Sequence, residues 1–177
     1  TYELDSDQFG FINSKDVQNL TKCSIEWWRA CQGNSHRLTR VHGDFHAGNI
    51  FVRESGGNTD RFELIDRSRG PWGEPANDVF CLLSDLIVYS QRAEFSGDDP
   101  FESLARTFVD RYLEETGDQD LFKFAPGFLA WRMIFLMNPK YYDHIGADNR
   151  ETLLKFTKRL LQERNIDDVD DLWNRLG

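Results

Sequence analysis

Hydrophobic positions recur along most of this chain at the three- and four-residue spacing of amphipathic helices. They give way to strict alternation in one short region. Asn13 or Ser14 can cap a first helix, on which Val17, Leu20, Ile25, Trp27, Trp28 and Cys31 form a broad apolar face ending at Gly33. The two tryptophans there read as core. Residues 50–53 and 62–65 are short apolar or alternating runs around Glu54-Ser55-Gly56-Gly57-Asn58, a turn signal, and predict a small hairpin. Two glycines and two prolines between Asp66 and Glu74–Pro75 exclude regular structure there. A helix beginning at Asn77 or Asp78 carries Phe80, Leu82, Leu83, Leu86, Ile87 and Tyr89. Further helices are expected over 101 to about 115, closed by Gly117, and from Asp118 or Asp120 with an interruption at Pro126–Gly127. An apolar run over 128–137 stops at Asn138–Pro139. Two last helices are expected from Asn149 to Asn165 and over 167–176. The fold class is mainly α with a small β-hairpin (α+β), in one domain spanning 1–177.

Composition sharpens this picture. A chain of 177 residues with 40% hydrophobic residues, fourteen Phe and five Trp can fill a helical interior. A net charge of −9 argues against a nucleic-acid backbone as partner, because phosphate binding needs clustered Lys and Arg. The acidity is compatible with a cationic small molecule, and equally with a merely solvated surface. Cys23, Cys31 and Cys81 are odd in number and lack Cys-x-x-Cys spacing, so they read as buried free thiols of a reducing, cytoplasmic protein. No run approaches the ~20 apolar residues of a membrane helix.

The chemistry concentrates in Arg40-Val41-His42-Gly43-Asp44-Phe45-His46-Ala47-Gly48-Asn49-Ile50 and in Ile65-Asp66 after the hairpin. Taken singly, Asp44 and Asn49 would be turn residues and Asp66 a strand-end cap. His42, Asp44 and His46 alternate, which on an extended segment would face one way and, with Asp66, could suggest zinc. Taken together, His42-x-Asp44-x-x-x-x-Asn49, Ile65-Asp66 and Trp72-Gly73-Glu74-Pro75-Ala76-Asn77-Asp78 resemble the catalytic core of the aminoglycoside phosphotransferase and choline kinase-like families, distant relatives of protein kinases. The resemblance is dense over residues 40–86 and thin outside them.

That resemblance implies the helical C-terminal lobe of a kinase-like fold. It implies ATP-dependent phosphoryl transfer to a hydroxyl of a small molecule: aminoglycoside-like, choline-like or sugar-like. Asp44 would be the catalytic base. Asn49 and Asp66 would bind Mg2+ and, through it, ATP. Asp78 would reach back to the catalytic loop, and His42 would pack and tie down backbone. His46 is left between the substrate mouth and solvent, and Arg67 and Arg69 between neutralising phosphate and pairing with Glu63 and Glu74. Asp98, Asp99, Glu114, Glu115, Asp118 and Asp120 could attract amines or be a solvated face. Trp131, Tyr141 and Tyr142 could line an apolar or cation-binding pocket, with core packing the preferred reading of Trp131. The family's N-terminal β lobe, with its phosphate-covering loop and strand lysine, has no counterpart before Arg40. The expectation is a catalytic lobe that needs that lobe of the same polypeptide as partner and is inactive alone. The alternative is a non-catalytic binding or regulatory module.

Overall fold

The first helix, α1 (Ser14–Gln32), begins where Asn13 accepts a hydrogen bond from the Asp16 backbone N–H at 2.9 Å, and it ends at Gly33 as the sequence pattern requires. The computed structural model describes residues 12–53, 61–67, 69–92, 97–163 and 165–176, so the turn expected at 54–58 lies outside the described residues. Five more helices follow: α2 (Pro75–Ser90), α3 (Pro100–Thr116), α4 (Ala125–Leu136), α5 (Ala147–Glu163) and α6 (Val169–Asn174). Helix α2 starts two residues before Asn77 because Pro75 occupies its first position. The missing N–H costs nothing there, and the Glu74 side chain accepts from the Ala76 N–H. The same reason corrects the interruption expected at Pro126–Gly127: both residues lie in the first turn of α4 and are buried.

Helices α2 and α4 are the centre of the core. Phe80, Leu83 and Ile87 on α2 and Leu129, Ala130 and Met133 on α4 are fully buried. Around them pack α1 and α5 against α4, and α3 against α2. A Cβ on Gly127 would sit 2.9 Å from Trp27 Cβ, so the absence of a side chain lets α1 and α4 approach closely. Trp27 is thereby drawn into the core. Trp28, on the next position round the helix, is 56% exposed, which corrects the expectation that both are core.

Strands are few among the described residues. The expected hairpin is present as β2 (Ile50–Arg53) and β3 (Arg61–Leu64), antiparallel, with Ile50 opposite Leu64 and Val52 opposite Phe62. Those four share one face by the two-residue period, yet Val52 and Phe62 are 65% and 68% exposed. A second, two-residue ladder joins β1 (Thr39–Arg40) to β4 (Trp72–Gly73). Pattern reasoning excluded structure in the Gly- and Pro-rich stretch that contains β4. This ladder is set by contact between distant segments and leaves no local period.

Arg37 pins this ladder to the helices. Its guanidinium donates to Glu74 at 2.7–3.0 Å and to Asp118 at 2.6–2.7 Å, lies 4.6 Å from the Phe124 ring centroid, and is largely buried. Tyr112 Oη also donates to Asp118. Burial works to raise the Asp118 carboxyl, but the bonds from Arg37 and Tyr112 outweigh it and hold the group below its ordinary value.

Two outcomes are expected. Gly127→Val should lose about 1–3 kcal/mol of stability in urea unfolding, because its β-branched side chain overpacks the α1–α4 contact. Asp118→Asn should cost about 3 kcal/mol near neutrality, since it leaves a buried guanidinium short of charge. A carboxyl depressed by folding stabilises above its unfolded value and loses that contribution as pH falls through its folded value. The gap between wild-type and Asp118→Asn melting temperatures should therefore narrow below about pH 4.

Candidate active site

Residues 41–49 have almost no secondary structure of their own, so their backbone groups are satisfied by side chains from elsewhere. The Asp78 carboxylate, in the first turn of α2, accepts from the His42 N–H at 2.6 Å and the Gly43 N–H at 2.9 Å. Asp85, two turns further along α2, accepts from the Ala47 N–H at 2.8 Å. Arg67 donates to the Val41 carbonyl at 3.1 Å, and the Val41 N–H donates to the Pro71 carbonyl at 3.0 Å. Gly43 has φ +90°, and a Cβ there would meet Arg69 Cβ at 3.1 Å. The loop turns tightly under the segment that follows Asp66 and leaves no room for a side chain.

Within the loop, each residue fixes the next. His42 is buried, its Nδ1 accepts from the Asp44 N–H at 3.4 Å, and its Nε2 is buried without a hydrogen-bond partner. Its expected structural role is what the geometry gives. His46 Nδ1 accepts from the Gly48 N–H at 3.1 Å, and the ring is partly exposed, with Nε2 4.0 Å from the Asp44 carboxylate. Buried Asn49 donates from Nδ2 to the Asp44 carbonyl at 2.9 Å, which turns its Oδ1 the opposite way. The Ile65 N–H donates to the Asn49 carbonyl at 3.1 Å. Asn49 immediately precedes β2 and Asp66 follows β3 by one residue, so the hairpin ladder brings both to the same end. Asp66 is exposed and has φ 57°, the one non-glycine with positive φ among the described residues. Aspartate is one of the few non-glycine residues that adopt this conformation readily.

The Asp44 carboxylate is mostly buried and sits between two guanidiniums. Arg69 Nη2 is 3.0 Å from Oδ2 and Arg132 Nη1 is 3.9 Å from Oδ1. Arg132, from α4, also lies 3.7 Å from the Asp85 carboxylate. Burial works to lower the Arg132 pKa, but the negative groups around it, Asp85 and Asp44 included, outweigh that and raise it. Arg132 is therefore a permanent cation. Neither Arg67 nor Arg69 takes the surface partners expected for it: Glu63 pairs with Arg53 and Glu74 with Arg37. Burial pushes the Cys81 thiol up to about 12, so it stays protonated and is no nucleophile. Cys23 and Cys31 are half-buried rather than buried.

Among the described residues, no three His, Cys, Asp or Glu side chains are grouped to hold a metal ion. Of the His42 ring nitrogens, Nδ1 meets backbone and the buried Nε2 has no partner, and no His, Cys, Asp or Glu pair is grouped with it to complete a zinc set among the described residues. The oxygens of Asn49 and Asp66 suit a hard cation that keeps most of its waters and takes its remaining bonds from phosphate.

The model of one family, described as the phosphotransferase enzyme family, matches residues 8–126, well over half of the chain. The chain belongs to that family. It is the family of aminoglycoside phosphotransferases and choline kinase-like enzymes that the motifs resemble. Searches of curated proteins and of solved structures returned no match. The match covers the loop, the hairpin, α2 and α3, and ends at the start of α4.

Arg132 of this phosphotransferase lies beyond that match, and sequence reasoning passed over both it and Asp85. The signal was present. Each is a lone charge in an apolar helical run, Asp85 among Leu82–Leu86–Ile87 and Arg132 among Leu129–Met133–Ile134. Such a charge needs a buried partner. Trp131 was read as core but is 52% exposed and faces two cavities. A cleft of about 690 Å³ is lined by His42, Phe45, Arg67, Asp78, Phe108 and Tyr112, and Asp44 is not among its lining residues. No helix among the described residues is long and apolar enough to cross a membrane.

Asp78→Ala should free two loop N–H groups at once. A loss of about 2–4 kcal/mol is expected in chemical unfolding, at ~1–3 kcal/mol per unsatisfied group. Faster amide hydrogen exchange at His42 and Gly43 than elsewhere would show that the loop is where the loss falls.

Proposed function

We propose that this chain is the catalytic lobe of an enzyme that transfers the γ-phosphoryl group of ATP to a hydroxyl of a small molecule. The observation that carries the reading is that Asn49 is hydrogen-bonded to Asp44 on a loop held by α2, and that Ile65, the residue before Asp66, donates to the Asn49 carbonyl at the hairpin end. A carboxylate, an amide oxygen and a second carboxylate in that order are what in-line phosphoryl transfer asks of a protein.

Asp44 accepts the proton of the acceptor hydroxyl as its oxygen bonds to the γ-phosphorus. The β–γ bridging bond breaks and its electron pair leaves with ADP. Asn49 and Asp66 are the residues that would hold Mg2+, which, when bound, neutralises phosphate charge and keeps the donor in line. Asp78 and Asp85 act at one remove, by fixing the loop backbone that aims Asp44. The nucleotide-covering lobe of the same polypeptide is the partner proposed for the outward face of the hairpin. Val52, Phe62 and Leu64 there form an apolar surface of the kind another body covers.

In the full-length polypeptide, Asp44→Asn should lower kcat by about 10²–10⁴-fold while leaving the circular dichroism spectrum and melting temperature close to wild type. Asp66→Asn and Asn49→Ala should instead raise the Mg2+ concentration needed for half-maximal rate. Wild-type turnover by Asp44→Asn would sink the base assignment. An unchanged Mg2+ requirement in both other variants would sink the metal assignment.

A further inference from the structure

The family's best-known acceptors are amines, and the acidic composition invites the same reading here. The structure does not supply the groups that reading needs. Asp99 caps α3 and accepts from Trp173 Nε1 at 3.0 Å and from Ser90. Glu114 and Glu115 pair with Arg111 on their own helix, Asp120 pairs with Lys123, and Asp118 with Arg37. Asp99 and Asp118 are thus engaged inside the protein, and Glu114, Glu115 and Asp120 are paired with cations on its surface.

Beside Asp44, two guanidiniums and the carboxylates of Asp44 and Asp85 meet at one place. A small cavity of about 140 Å³ is lined by Arg69, Arg132, Trp131, Phe135, Thr21 and Asn138, two guanidiniums and no carboxylate. Both guanidiniums point at Asp44 from the cavity side. Arg132 is held in place from behind by Asp85, and its Cζ lies 5.7 Å from the Phe135 ring centroid. Its Nε is buried and has no hydrogen-bond partner. Arg69 is mostly exposed and therefore able to move. Trp131 is shared with a second cavity of about 480 Å³, whose walls include Ile25, Trp28 and Phe128. An anion-sized, doubly cationic recess thus opens onto an aromatic shelf, with the proposed base at its edge.

We infer that the acceptor carries an anionic group, a carboxylate or a phosphate, received by Arg132 and Arg69, with the hydroxyl presented to Asp44 and the remaining body on Trp131. The inference rests on the phosphotransferase reading of Asp44 for its place in a reaction, but not for the binding it describes. It also gives Arg69 a function. In the structure Arg69 occupies Asp44 Oδ2, the atom a hydroxyl needs. An acceptor anion draws Arg69 away and frees that oxygen, whereas a neutral or cationic alcohol leaves it blocked. Arg132 is then a positioning residue for Asp44 and a specificity residue for the acceptor.

The test uses the full-length polypeptide and is made without nucleotide. Calorimetry and tryptophan fluorescence would compare 3-phenyllactate, its methyl ester and phenylalaninol, the same aromatic alcohol carrying a negative, a neutral and a positive group. Glycerate and glycerol phosphate would separate carboxylate from phosphate. The expected result is about tenfold tighter binding of an anion than of its neutral or cationic counterpart, as charge-assisted pairing to a guanidinium gives. Arg132→Gln should erase most of that preference and Arg132→Lys should restore part of it. If Arg132→Gln does not fold, Arg69→Gln carries the test, because its side chain is exposed. Equal or tighter binding of the ester or phenylalaninol overturns the inference, as does the absence of saturable binding by every anionic probe. A preference that survives both Gln variants overturns it too. Phosphorylation assays then separate the two readings. Anion-selective binding with no transfer to any probe counts against the phosphotransferase reading alone. Transfer to choline or an aminoglycoside in preference to the anions counts against this inference alone.

Discussion

The Asp78 carboxylate is the contact on which the rest of the site depends. A loop without secondary structure must find partners for its backbone N–H groups, and this one finds two of them in a single side chain at 2.6 and 2.9 Å. Because Asp78 stands in the first turn of α2, those bonds also lie where the helix dipole favours negative charge. The loop is thus fastened to one of the two central helices of the core rather than to another loop. Asp85 repeats the device two turns further along α2, at Ala47. The loop inherits the rigidity of α2, and the position of Asp44 follows from it.

That dependence explains which parts of the molecule were legible in the sequence. The helices were, because α1, α3 and α5 repeat apolar residues with a helical period and begin or end at residues such as Asn13, Asp99 and Gly117. The hairpin was, from its alternation. Asp78 was identified as the residue that reaches back, and the structure shows the bonds. Helix starts were misplaced where Pro75 and Pro126 read as breakers, though at the first turn a proline is no obstacle. The β1–β4 ladder was illegible, being two residues long and made by segments more than thirty positions apart.

The site itself was legible where chemistry and spacing coincide and opaque where only packing decides. Asp44, Asn49 and Asp66 could be singled out as candidates from an order and spacing that resemble the family's motif. What surrounds Asp44 could not. Arg69 lies in a stretch without periodicity, and Arg132 comes from a helix almost ninety positions away. The exposure of Trp28 and Trp131 also escaped the pattern, since a tryptophan on an apolar helical face reads as core wherever it stands. Here those two side chains border the same cavity beyond the α1–α4 contact. A charged side chain alone in an apolar run, as Asp85 and Arg132 each are, is the one trace of such a network that a sequence retains.

The hairpin has a mechanical meaning that its small size conceals. Its root carries Asn49 just before one strand and Asp66 just past the other, joined by the Ile65–Asn49 hydrogen bond, and its described strand residues beyond the root, Val52 and Phe62, are exposed. A short two-stranded ribbon is stiff along its strands and free to pivot at its base. Val52 and Phe62 sit on its outward face only a few residues from the root. A body leaning on them would bear on the backbone that leads to exposed Asp66, while Asp44 and buried Asn49, bonded to one another on the loop anchored to α2, stayed where they are. The two halves of the site are therefore built on different footings, one fixed and one able to be pressed into register.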